Sequence, residues 1–166
     1  YYSDRGNGAA WMGAKQISGK WYYFDPQKMG EMAVNETITD ADGNSCYYTA
    51  NGTRQSGWKK IDGVWRYFAS DNGRECVVTE EGGGWVTVAF SDGTTEKAYI
   101  KKNNTVLKGW QTVDGLRYYF DQDGFQWTAE KGWLTIGNSR YRFDAEKIAE
   151  QVLINKRSRE SAEKAR

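Results

Sequence analysis

A five-residue aromatic strand recurs along this chain, and no other feature limits its fold so strongly. The copy Arg117-Tyr118-Tyr119-Phe120-Asp121 is met again as Trp21-Tyr22-Tyr23-Phe24-Asp25, Cys46-Tyr47-Tyr48-Thr49-Ala50 and Trp65-Arg66-Tyr67-Phe68-Ala69. Two further copies are Lys97-Ala98-Tyr99-Ile100-Lys101 and Arg140-Tyr141-Arg142-Phe143-Asp144. A turn pair precedes each: Ser18-Gly19, Asp42-Gly43, Asp62-Gly63, Asp92-Gly93, Asp114-Gly115 and Gly137-Asn138. Such pairs between apolar runs favour hairpins, because tight primed turns need positive φ, which Gly supplies without strain. A Gly-Trp step opens the units at Trp58, Trp85, Trp110 and Trp133, with Trp11 as a divergent first member. A period of roughly twenty residues signals a repeat architecture whose units contact mainly their neighbours. The predicted fold is all-β, a β-solenoid of stacked β-hairpins.

The composition agrees with that reading. The chain holds 8 Trp, 11 Tyr and 6 Phe, yet its mean hydropathy is -0.83. Its apolar mass therefore lies in flat rings, suited to many thin layers and not to one thick aliphatic core. Strand alternation puts positions two and four of the aromatic strand on one face and positions one and three on the other. Phe24, Phe68, Phe120 and Phe143 at position four mark the packing face. The varied position one (Trp21, Trp65, Arg117, Arg140) marks the face open to a ligand.

Several function classes are disfavoured. A net charge of +1 gives no field to recruit nucleic acid. No apolar run reaches the roughly 18 residues of a membrane helix, so no membrane insertion is expected. The absence of His removes the usual general base and the commonest metal ligand. The acidic pairs Asp40/Asp42, Asp121/Asp123 and Glu80/Glu81 fall in predicted turns, where Asp bonds its own backbone. Asp40–Gly43 lacks the downstream ligands of a calcium loop. Cys46 and Cys76 lack metal-ligand spacing. They are readable as buried free thiols or as a bridge between adjacent hairpins. The expectation is a binding module with no catalytic residues, no metal and no cofactor.

Tyr1–Trp11 matches the second half of a unit, which together with the missing initiator Met suggests a piece of a longer array. Residues 1–152 are assigned to the repeats and 153–166 to a charged, solvated tail. Asp25–Thr39 is longer than its counterparts, and Glu80–Gly84 is expected to be a surface loop before Trp85.

The Gly-Trp, turn, Trp/Arg-Tyr-Tyr-Phe-Asp pattern resembles the cell-wall-binding repeat superfamily. Its branches include choline-binding modules, glucan-binding repeats and the receptor-binding repeats of clostridial toxins. The likeness runs from Tyr1 to about Val152 and rests on the Trp58 to Trp65, Trp110 to Arg117 and Trp133 to Arg140 spacings. It implies a secreted or surface-attached bacterial protein that binds cell-wall or extracellular glycan, with choline of teichoic acid as the alternative ligand. A ligand-free spacer or adhesin is a further alternative. Carried over from the choline-binding branch, one cage would use Trp11, Trp21 and Tyr48. A second would use Trp58, Trp65 and Tyr99, with Trp85 nearby. In the later units Arg117 and Arg140 stand where a cage ring would be. That favours sugar stacking on Trp110 and Trp133, helped by Arg117 and Tyr119, over cation binding.

Overall fold

The computed structural model describes residues 11–143. The half-unit at Tyr1 and the charged tail lie outside the described residues. The described chain is all-β, built from small hairpin sheets, none closed, and its only helical turns are two short 3-10 segments. It falls into two compact units, residues 11–78 with 89–94, and residues 79–88 with 95–143.

The first unit begins with β1 (Gly13–Ile17) and β2 (Lys20–Asp25), joined at Ser18-Gly19 with φ of 52° and 80°. Asp62-Gly63 joins β6 (Gly57–Ile61) to β7 (Val64–Phe68) in the same way, with φ of 51° and 81°. Both residues of each pair are left-handed, the conformation whose twist matches that of the flanking strands. Between these hairpins lie β3 (Glu31–Met32), β4 (Glu36–Thr39) and β5 (Ser45–Tyr48). The long Asp25–Thr39 segment is thereby explained. Asp25 accepts a hydrogen bond from Gln27 N at 2.9 Å, starting a 3-10 turn at Pro26, and β3 then returns to pair with β2. The β4–β5 turn is wider than a two-residue one. Asp40 Oδ1 accepts from Asp42 N and Asn44 N, both at 2.9 Å, and these bonds hold its carboxyl below the usual carboxylate range. β8 (Glu75–Gly82) pairs with β7 in this unit through Tyr67↔Cys76 and Phe68↔Glu75.

In the second unit the end of β8 pairs with β9 (Trp85–Ala89), which pairs with β10 (Thr95–Tyr99). The expected loop at Glu80–Gly84 is therefore half strand. Glu80 to Gly82 extend β8, Glu81 accepts from the Thr87 hydroxyl at 2.8 Å, and only Gly83-Gly84 turn. Alternation with a partner strand outweighed the low strand propensity of the acidic pair. Gly84 has φ of 102°, and an added Cβ would lie 2.8 Å from the Tyr99 ring and 2.9 Å from Ile100 O. The Ile100 N–H also donates to Gly84 O at 2.8 Å, so this backbone has little room to move away. Gly84→Ala should destabilise the second unit by about 2 kcal/mol or more. A urea midpoint equal to wild type would refute this. Then follow β11 (Gly109–Val113) with β12 (Leu116–Phe120), and β13 (Leu134–Ile136) with β14 (Ser139–Tyr141).

Position four forms the core in four of the aromatic strands. Phe24, Phe68, Phe120 and Phe143 are at most 2% exposed. Leu107 and Val113 pack around Phe120, with Trp85, Tyr99 and Tyr118 closing the cluster from partly buried positions.

Candidate functional site

Backbone bonds show which residues are equivalent from hairpin to hairpin. After four of the aromatic strands the chain turns back and donates an N–H to the carbonyl at position three. The pairs are Ala33 to Tyr23, Gln55 to Tyr47, Leu107 to Tyr99 and Trp127 to Tyr119, between 2.7 and 3.0 Å. Position three in the second hairpin is therefore Tyr47, and Tyr48 takes the place of the phenylalanines. This corrects the expected cage of Trp11, Trp21 and Tyr48. Tyr48 is 3% exposed and its ring lies 5.9 Å from that of Tyr23, inside the ring ladder. By identity the two tyrosines match Tyr22 and Tyr23. Counting five residues on from Gly43, as from Gly19 to Phe24, places Tyr48 with the phenylalanines.

Burial pushes the Tyr48 phenol up to about 12, with a smaller contribution from nearby Cys46. The folded state thus keeps this proton at a pH where the unfolded chain has released it. The stabilising contribution is complete below the ordinary value of 10.0 and is lost as pH climbs towards 12. Tyr48→Phe should leave stability near neutrality almost unchanged and flatten the alkaline loss. Superimposable stability–pH curves for the two proteins would contradict this.

Trp11 also changes place. In β1 and β2, Gly13 pairs with Phe24 and Ala14 with Tyr23, just as Gly57 pairs with Phe68 and Trp58 with Tyr67. Ala14 is therefore the opening position of the first hairpin. Trp11 matches Leu107 in register and packs on Phe24 with ring centroids 5.7 Å apart. It is a core ring. Trp21, at position one of that hairpin, carries the Arg54 guanidinium 5.2 Å above it.

The third hairpin alone has tryptophan at both the opening position and position one. Trp58 and Trp65 meet edge-to-face at 6.4 Å and 78°, and Tyr67 lies 5.1 Å from Trp58. Both tryptophans are partly exposed, while Tyr67 is buried and continues onto Phe90 at 5.9 Å. Trp58 and Trp65 belong to the first unit, whereas Tyr99 and Trp85 belong to the second.

The second unit brings the remaining residues together in pairs and triads. Trp85 is surrounded by Tyr99 at 5.2 Å, Tyr118 at 5.1 Å and Phe120 at 6.0 Å. Trp110 is enclosed more fully. Tyr119 and Tyr141 meet it edge-on at 5.1 and 5.0 Å, Phe143 stacks on it at 5.9 Å, and the Arg117 guanidinium lies 4.9 Å from the ring. Trp110, Arg117 and Tyr119 thus converge, mainly on one another. Trp133 is the open ring, 43% exposed, with Arg140 at 4.6 Å and Arg142 at 5.9 Å above it. A guanidinium over a ring takes the place a ligand cation would occupy.

Cys46 and Cys76 are free thiols whose sulfurs lie 3.7 Å from Asn72 O and 3.8 Å from Arg74 O. Burial raises both above the ordinary thiol range, which makes them poor nucleophiles. No group of three or more potential metal ligands occurs among the described residues.

Hairpins joined by a ladder of rings, with a right-angled tryptophan pair at one of them, define a repeat binding module. The choline-binding repeat pattern matches residues 11–54 and 107–147, and a cell wall binding repeat pattern matches 56–74. The chain belongs to the choline-binding repeat family. Similar solved structures include CbpJ from Streptococcus pneumoniae, 20% identical over 89% of this chain and 55% of that one, with a TM-score of 0.45. Choline binding protein F from the same organism is 22% identical over 84% and 48%, with a TM-score of 0.40. A pneumococcal cell wall endolysin from phage Cp-1, complexed with choline, is 19% identical over 69% and 30%, with a TM-score of 0.39. The chain spans about half the length of the first two. No curated protein sequence matches it.

Proposed function

We propose that this chain is a non-catalytic, extracellular wall-binding module that takes choline head groups at the Trp58–Trp65 corner. The observation that carries this reading is the 78° angle between two partly exposed indoles 6.4 Å apart. A quaternary ammonium has no N–H to donate, so it is held by ring faces, each contributing about 0.5–2 kcal/mol depending on desolvation. Two indoles at right angles present two such faces to one spherical cation. The choline-binding repeat match on either side of the corner, at residues 11–54 and 107–147, supports the same ligand, and the corner itself lies in the cell wall binding repeat match at 56–74. Within each unit, rings of one hairpin pack on the position-four residue of the next, as in Tyr47 on Phe68 and Trp85 on Phe120. We read these hairpins as turns of a β-solenoid.

Carbohydrate binding is the second reading, and Trp133 is the residue that favours it. The ring is exposed and flanked by two guanidiniums, an arrangement suited to stacking a sugar and bonding its hydroxyls or a carboxylate. Calorimetric titration of the chain with choline tests the main reading. Weak, saturable binding is expected, with avidity arising from repetition of sites. Saturation by a glycan panel with no response to choline would transfer the function to the second reading.

A further inference from the structure

We propose that the last hairpin carries an anion site, formed by Trp133, Arg140 and Arg142, that takes a phosphate ester. The three side chains share one face of the sheet. β13 and β14 pair Leu134 with Tyr141 and Thr135 with Arg140, so the same register sets Trp133 level with Arg142 one step on. Alternation turns Leu134, Tyr141 and Phe143 to the opposite side, where Leu134 and Phe143 are buried. Trp133, Arg140 and Arg142 thus stand where Trp58, Trp65 and Tyr67 stand in the third hairpin, whose register pairs Trp58 with Tyr67. The opening ring is kept and the two rings beside it are replaced by guanidiniums. That exchange reverses the charge a ligand must carry.

The electrostatics select an anion. The two guanidinium carbons lie 4.6 and 5.9 Å from one indole centroid. Arg140 and Arg142 are exposed, and among the described residues neither forms an ion pair or a side-chain hydrogen bond. Arg66, by contrast, stands 3.4 Å from Glu75. Two unneutralised cations held against one ring repel each other, and a single anion accepting from both relieves that repulsion. Contact with the ring occupies a guanidinium's face and leaves its in-plane N–H donors for a ligand. A choline head group would meet two like charges here.

Shape separates a phosphate from a carboxylate. A carboxylate has two oxygens in one plane, which a single guanidinium fork fills. The oxygens of a phosphate are arranged tetrahedrally, so forks arriving from two residues can each find an acceptor. An ester adds carbon beside the phosphate, and the Trp133 ring, 43% exposed, offers that carbon an apolar surface. The site shares this ring with the carbohydrate reading, but its ligand is fixed by the arginines and not by stacking.

Glycerol 3-phosphate is the probe, titrated into the whole chain in phosphate-free buffer of low ionic strength. Indole N–H and arginine Nε–H resonances are followed by NMR. The ester should shift Trp133, Arg140 and Arg142 saturably. Arg140→Gln and Arg142→Gln, both at exposed positions, should each weaken binding by about tenfold, the loss of one charge-assisted interaction. Inorganic phosphate, which lacks the carbon, and glucuronate, which lacks the tetrahedral anion, should bind more weakly. Methyl glucoside should leave the arginine resonances unmoved. Trp58→Ala should keep the full phosphate response, so failure of the choline reading would leave this result interpretable. Absence of any saturable shift with glycerol 3-phosphate would overturn the proposal. So would full-strength binding by either glutamine variant, or glucuronate or inorganic phosphate matching the ester. Methyl glucoside producing the same shifts would overturn it too, and would assign Trp133 to the carbohydrate reading.

Discussion

Phe120→Ala should destabilise the second unit by about 3–5 kcal/mol, the range for emptying a buried aromatic position. Phe120 is 0% exposed and is touched from several directions by different stretches of chain. Leu107 and Val113 pack on it, Trp85 lies 6.0 Å away and Tyr118 6.2 Å away. Its backbone is also tied on both sides, to Gly109 in β11 and to Gln126 after the next turn. Those strands cannot close on the void without breaking their own pairing, so most of the cavity penalty persists. Urea unfolding followed by tryptophan fluorescence measures the effect, because Trp85 reports on this cluster. A loss below about 1 kcal/mol would show that the hairpins collapse independently and that the ring ladder does not hold the unit together.

Trp58→Ala should weaken choline binding by about thirtyfold, equivalent to losing one desolvated ring face worth about 2 kcal/mol. The substitution removes one wall of the corner and leaves Trp65 with a single face for the cation. It also removes the edge contacts to Trp65 and Tyr67, so near-ultraviolet circular dichroism must show that the hairpin persists. Trp58→Phe separates the two effects, since it restores a ring face with less area and should recover part of the affinity. A Trp58→Ala protein that binds choline as tightly as wild type would place the ligand elsewhere.

Much of the hairpin pattern was legible before any coordinates. Ser18-Gly19, Asp62-Gly63 and Asp114-Gly115 turn with both residues left-handed, as two-residue turns require. Phe24, Phe68, Phe120 and Phe143 are buried, because alternation fixes which side of a strand a residue takes once its turn is known. The sites were less legible. Tyr48 resembled a position-three tyrosine by identity, but its distance from Gly43 made it a core ring, and Tyr47 was missed in its place. Tyr47 instead packs on Phe68 and carries the Lys59 ammonium 5.7 Å from its ring.

The residues alone determined the local geometry, since turn chemistry and strand alternation act over only a few neighbours. Which rings stay open and which are packed away was decided by tertiary structure. Trp58, Trp110 and Trp133 all follow Gly and open a hairpin, yet their surroundings differ. Trp58 meets Trp65 at a right angle, Trp110 is enclosed by three rings and Arg117, and Trp133 stays exposed beside two guanidiniums. Part of that difference comes from side chains on other hairpins, such as Tyr141 and Phe143 around Trp110. Through-space contacts of this kind have no fixed sequence separation, so the same Gly-Trp step can serve as a ligand wall in one hairpin and as packing in another.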